Sequence, residues 1–198
     1  AKRLSPVRLI LLGGGGRQGF FPWPPQLKKK SFVGSMFRFF MGGGDFSHVS
    51  LLPYQLVKKI NMVWNSTFSK EKRFVIFTGG EPLLQVNQSL VNELKSLNFY
   101  VALETNGTIC TNIKFDWVCV SPKENSIWKL KNGDELKVVY PQNKFNLKNL
   151  EKLDFKFFFL QPKYDALKRV NLVKTLDYCK LNGNWFPSFQ IHKVLRIS

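Results

Sequence analysis

Four short polar segments of this chain each follow an apolar run, and each carries side chains able to hold a ligand. They are Thr78-Gly79-Gly80-Glu81-Pro82, Glu104 with Thr105-Asn106-Gly107-Thr108, Ser121-Pro122-Lys123, and Gln161-Pro162. In the first, paired glycines let the backbone approach a ligand closely, and the N–H groups of a following helix start favour an anionic group. Glu81 offers a carboxylate to a ligand amine, against the plainer reading of a βα turn. Four polar ends in one chain suggest one assembled site; ordinary solvated loops are the competing account. The remaining candidates read as structural. His192 falls in a final extended segment as a satisfied histidine, and His48 lies in a loop. Gly13 to Gly16 has no following Lys-Ser/Thr and so is not a phosphate loop. Cys119 and Cys179 read as small buried hydrophobes on a strand and a helix.

The elements that must position these segments are legible as periodicities. Leu56, Val57, Ile60, Val63 and Trp64 form a helical stripe. Arg73 to Phe77 reads as a buried strand. Leu83, Leu90, Val91, Leu94 and Leu97 mark a second helix, with Pro82 at its opening turn. Further strands are expected at Tyr100 to Leu103, Trp117 to Val120, Leu136 to Tyr140 and Lys156 to Leu160. Leu172, Val173, Leu176 and Cys179 mark a third helix, and Phe186 to Ile197 reads as extended. Strands alternating with helices predict an α/β fold with a largely parallel sheet, and ligands bind such sheets at the carboxyl ends of the strands. The four polar segments fall at those ends. From the residues alone, the site is polar and tolerant of anions.

Composition bounds the class. The chain has 198 residues, 30 Lys+Arg against 13 Asp+Glu, and a net charge of +17. Its length suits a single domain over residues 1–198, and 44% hydrophobic content excludes wholesale disorder. Three scattered cysteines without a CxxC make no disulfide scaffold, so a reducing, cytoplasmic setting is expected. No apolar run reaches the ~18 residues of a membrane span, and the basic, briefly apolar start lacks a cleavage site for a signal peptide. Residues 1–44 stand apart, with eight basic residues, no acid and nine of the 14 glycines. A flexible basic arm explains the Gly, Pro and Lys there but not Phe20, Phe21, Trp23, Phe37, Phe39 and Phe40, which are costly to leave in water. The other reading is a misread or mis-assigned segment whose residues were never selected for folding.

Taken in order, FVIFTGGEPLLQ (74–85), VALETNGT (101–108), DWVCVSPK (116–123), GDELKVVYPQ (133–142), LDFKFFFLQP (153–162) and QIHKVLRIS (190–198) resemble the 7-carboxy-7-deazaguanine synthases. The likeness runs from near Asp45 to the C-terminus. GGEP is shared across radical S-adenosylmethionine enzymes, whereas the other stretches together are specific. The resemblance implies an abbreviated open (β/α) barrel, usually a homodimer, in the queuosine and 7-deazapurine pathway. The implied reaction is radical ring contraction of 6-carboxytetrahydropterin with loss of ammonia, a carbon–nitrogen lyase chemistry. It implies that Gly80 and Glu81 meet S-adenosylmethionine, as do Ser121, Pro122, Lys123, Gln161 and Pro162. Thr78, His192 and Ser198 would bind the pterin. A [4Fe–4S] cluster, Mg2+ and a flavodoxin-type reductant are implied as well; a membrane or nucleic-acid partner is not.

Residues 1–44 depart from that pattern. The substrate-binding LQGEG turn is replaced by Leu12-Gly13-Gly14-Gly15-Gly16, and the last two cluster cysteines of CxxCDTDF fall on Phe39 and Gly42. The family's magnesium-binding threonine falls on Gly44, and no cysteine precedes Cys110. No catalytic residue or metal ligand is therefore assigned. Two alternatives stay open: a degenerate homologue that binds S-adenosylmethionine or a pterin without turnover, and a basic nucleic-acid-binding module.

Overall fold

Two adjacent apolar runs, buried along most of their length, build the parallel pair at the centre of the first unit. The computed structural model describes residues 7–11, 52–68 and 73–189. It contains, in chain order, β1 (Val7–Leu11), α1 (Pro53–Phe68), β2 (Phe74–Gly79), a 3-10 turn (Pro82–Leu84), α2 (Gln88–Ser96), β3 (Tyr100–Thr105) and β4 (Trp117–Val120). Then follow β5 (Asn132–Tyr140), α3 (Leu147–Leu150), β6 (Asp154–Pro162), α4 (Lys168–Leu181) and β7 (Trp185–Pro187). The chain divides into two compact units, Ala1–Thr105 with Thr111–Val118, and Asn106–Cys110 with Cys119–Ser198.

In the first unit β2 is flanked by β3 in parallel and by β1 antiparallel. Val75, Phe77, Val101 and Leu103 of the two parallel strands are buried against Trp64 of α1 and Val91 and Leu94 of α2. Each such residue contributes about 1.5–3 kcal/mol by leaving water. Arg73 fixes how α1 enters this core. Its guanidinium donates to Asn61 Oδ1 (2.7 Å), Asn65 Oδ1 (3.2 Å) and the Leu97 carbonyl (3.2 Å), and lies 5.3 Å from the Phe99 ring centre. Asp116 secures the opposite edge, accepting from the Val101 N–H at 2.8 Å and pairing with Lys95 at 2.8 Å.

In the second unit β4, β5, β6 and β7 lie side by side in chain order, each pair parallel. Leu136, Val138, Val120, Leu160 and Trp185 are fully buried. Trp128 fills the space beside the sheet, edge-on to Phe145 at 5.7 Å. Within each unit neighbouring strands follow sequence order and, β1 apart, run parallel, which is the α/β fold expected.

Three expectations need correction. The second helix does not run from Pro82 to Leu97 unbroken: a 3-10 turn ends at Leu84, and α2 restarts where Asn87 Oδ1 accepts from the Leu90 N–H at 3.0 Å. The strands at 136 and 156 begin earlier, at Asn132 and Asp154, because their first residues pair with each other. The third helix has the expected place but not the expected face. Its buried residues are Asn171 and Thr175, whereas Leu172 and Val173 are exposed. Polar anchoring, described below, outweighs the apolar stripe. Of the segment expected to be extended, Phe186 and Pro187 lie in β7, and residues 190–197 lie outside the described residues.

Candidate functional site

The register of β2 on β3, with Phe74 beside Tyr100 and Phe77 beside Leu103, brings Thr78 level with Glu104. Thr78 Oγ1 donates to Glu104 Oε2 at 3.0 Å. At the last residue of β3, Thr105 Oγ1 lies 2.7 and 2.8 Å from the two carboxylate oxygens of Glu81. The strand ends are thus braced twice, each time by a threonine hydroxyl on a glutamate. Between the braces Gly79 has φ +123°, a conformation that L side chains rarely adopt, so the turn needs glycine there. Glu81 Oε1 also accepts from the Leu83 N–H at 3.2 Å and caps the 3-10 turn.

Glu81 is thus engaged within the chain as well as placed at the strand end. Its buried side chain faces Thr105 and the turn, so what the segment turns outward is the exposed backbone of Gly79 and Gly80. Glu104, noted in the sequence only as a strand end, is the half-buried carboxylate beside Thr78. The shared offset of 26 residues in the β2–β3 register was the signal for that pair, visible only once the strands are aligned.

In the second unit the turn after β3 is held by the Asn106 side chain and by the backbone of residues 129 and 130. Thr108 N–H donates to Asn106 Oδ1 at 2.8 Å, while the Gly107 carbonyl accepts from Lys129 (2.8 Å) and Leu130 (3.0 Å). After β4, Pro122 is buried, Ser121 is half-buried and Lys123 is exposed, its ammonium 3.5 Å from Ser121 Oγ. Ser126 donates to the Lys123 carbonyl from its N–H (3.2 Å) and its hydroxyl (3.0 Å). After β6, the Lys163 N–H donates to the Tyr140 carbonyl at 2.7 Å, fixing the chain as it leaves half-buried Gln161 and Pro162. Lys131 sits 3.5 Å above the Trp128 ring centre, and burial, then the nearby Lys144 charge, lowers its pKa. His192 and Ser198 lie outside the described residues.

No family model matches the chain. It is 39% identical over 155 residues to the 7-carboxy-7-deazaguanine synthase of Burkholderia multivorans, covering 78% of this chain and 71% of that protein. It is 42% identical to the Bradyrhizobium diazoefficiens 7-carboxy-7-deazaguanine synthase, over 72% of this chain and 67% of the relative. The Bordetella pertussis synthase is 36% identical, over 79% and 71%. The chain belongs to the 7-carboxy-7-deazaguanine synthase family.

The three thiols of the chain sit in different surroundings. Cys110 is exposed, Cys119 is buried with its Sγ 3.4 Å from Glu135 Oε1, and Cys179 is half-buried with burial pushing its thiol up to about 11. Among the described residues no three His, Cys, Asp or Glu side chains converge as metal ligands. No helix of the described residues is long and apolar enough to cross a membrane.

Proposed function

We propose that this chain is built for the reaction its relatives are named for, the formation of 7-carboxy-7-deazaguanine in queuosine and 7-deazapurine biosynthesis. The reaction is a radical ring contraction of 6-carboxytetrahydropterin, a carbon–nitrogen lyase step. One observation carries the reading: identities of 36–42% to synthases that the chain covers by two thirds or more. The geometry supports it. S-adenosylmethionine, when bound, supplies the group that abstracts hydrogen from the pterin. The resemblance assigns to it Gly80 and Glu81 of the first unit and Ser121, Pro122, Lys123, Gln161 and Pro162 of the second. Exposed glycine backbone and a serine–lysine pair suit an amino-acid and ribose group that needs both donors and acceptors. Thr78 commits its hydroxyl proton to Glu104, which leaves the oxygen to accept from a pterin N–H. His192 and Ser198 would complete the substrate contacts, and a homodimer is part of the proposal.

The iron–sulfur cluster does not fit. It requires thiolate ligands, the chain has no cysteine before Cys110, and its three cysteines belong to separate elements. Mg2+ likewise lacks its threonine, since Gly44 stands there. A flavodoxin-type reductant would have no electron acceptor on a chain of this sequence. The site proposed is therefore a binding site first, and binding tests it. Calorimetry with S-adenosylhomocysteine should give saturable binding to the full chain, and no binding by folded protein would sink the assignment. Salt-dependent RNA or DNA binding lost on deleting residues 1–44 would favour the nucleic-acid module instead.

A further inference from the structure

We infer that Asn171 is a positioning residue for the loop after β6, setting the path of Gln161 to Asp165; this rests on the reading of Gln161 and Pro162 as cofactor contacts. α4 buries the wrong kind of side chain for a helix held by hydrophobic packing. Asn171 is 3% exposed and Thr175 fully buried, while Val170 and Val173 are 48% and 56% exposed. A buried amide persists only when its polar atoms are satisfied. Asn171 Nδ2 donates to the Lys163 carbonyl at 3.1 Å and to Asp165 Oδ1 at 2.9 Å. Both partners are acceptors, which fixes the orientation of the amide.

The loop is held from two sides by this arrangement. The Lys163 N–H donates to the Tyr140 carbonyl of β5, and the Lys163 carbonyl accepts from Asn171 of α4. Lys163 directly follows Gln161-Pro162, so no slack lies between the clamp and the proposed contacts. Asp165 Oδ1 also accepts from the Leu167 N–H at 2.9 Å, and the Asp165 carbonyl from the Lys168 N–H at 3.1 Å. Inside the helix, Thr175 Oγ1 donates to the Asn171 carbonyl at 2.7 Å. The buried face of α4 is thus spent on the loop's course. Leucine at 171 would give the helix a better core contact and leave the loop unheld.

The test uses the full chain, hydrogen–deuterium exchange over 161–167, and S-adenosylhomocysteine as probe. N171D keeps the size but sets a carboxylate against Asp165. It should speed exchange at 163–167 and weaken binding about tenfold. The reciprocal D165N/N171D pair restores a donor facing an acceptor between positions 165 and 171 but leaves the Lys163 carbonyl without its donor, so it should recover part of the affinity and of the slow exchange. Wild-type exchange and affinity in N171D would overturn the proposal. So would equal losses in N171D and the double variant with a matching fall in melting temperature, which mark a purely structural role. Should N171D fail to fold, N171A removes both donors without adding a charge and should still speed exchange; unchanged exchange would overturn the proposal. Exchange is read without ligand, so a wild-type chain that fails to bind the probe defeats the cofactor reading separately from the clamp.

Discussion

Glu81 and Cys179 both have chemistry decided by what touches them. Thr105 donates to the Glu81 carboxylate inside the protein, so T105V removes a hydrogen bond to a carboxylate without changing side-chain size. The expected cost is about 1–3 kcal/mol, read by urea unfolding, with weaker S-adenosylhomocysteine binding by calorimetry; unchanged affinity would place the Glu81 turn away from the cofactor. Cys179 is the thermodynamic counterpart. Burial raises its thiol from the ordinary 9.0 to about 11. Between those values the unfolded chain has lost the proton and the folded chain retains it, so folding binds the proton more tightly. Its contribution is fully present below pH 9 and is lost as pH rises through 11. C179S should flatten the decline in stability over that window. In native protein at pH 8, exposed Cys110 should react with a maleimide well before Cys119 or Cys179; equal rates would contradict the burial.

Elements here are placed by features that periodicity does not report. The turn after β3 has Gly107 at φ +74°, with Trp128 Cδ1 only 2.7 Å and Val120 Cγ1 2.8 Å from where a Cβ would stand. Gly107 therefore seats the indole that closes the second core. G107A combines left-handed strain with overpacking and should cost about 2–4 kcal/mol. Gly183 has nothing within 4 Å, so G183A should stay within about 0.5 kcal/mol. Similar effects of the two in chemical denaturation would refute the assigned packing. α4 gives the complementary lesson. Its apolar residues at 172, 173, 176 and 179 have helical spacing, yet the buried positions are 171 and 175. A hydrogen-bonded amide at 171 turns the helix by satisfying the loop's carbonyl, and no moment of hydrophobicity can anticipate that.

Across the whole chain, charge and cysteine are distributed unequally. Residues 1–44 hold eight basic residues without an acid, so the remaining 22 basic and 13 acidic residues give +9 to the rest. The same 44 residues lack the thiols that the family resemblance assigns to them. Purified protein whose intact mass matches the 23.0 kDa sequence should bind no iron after anaerobic reconstitution and release no 5'-deoxyadenosine. About four irons per chain would mean that residues 1–44 of that protein differ from those written. The sequence by itself determined the α/β alternation, the polar segments at strand ends, the family and the missing cluster ligands, because each rests on residue type and local spacing. Tertiary structure alone decided that Glu81 faces Thr105, that Glu104 stands beside Thr78, and that α4 buries Asn171. Those outcomes depend on strand register and on hydrogen bonds across 24, 26 and 8 residues. Local pattern has no access to such partners, since a side chain's preference between core and ligand is settled by whichever distant donor or acceptor packing brings within reach.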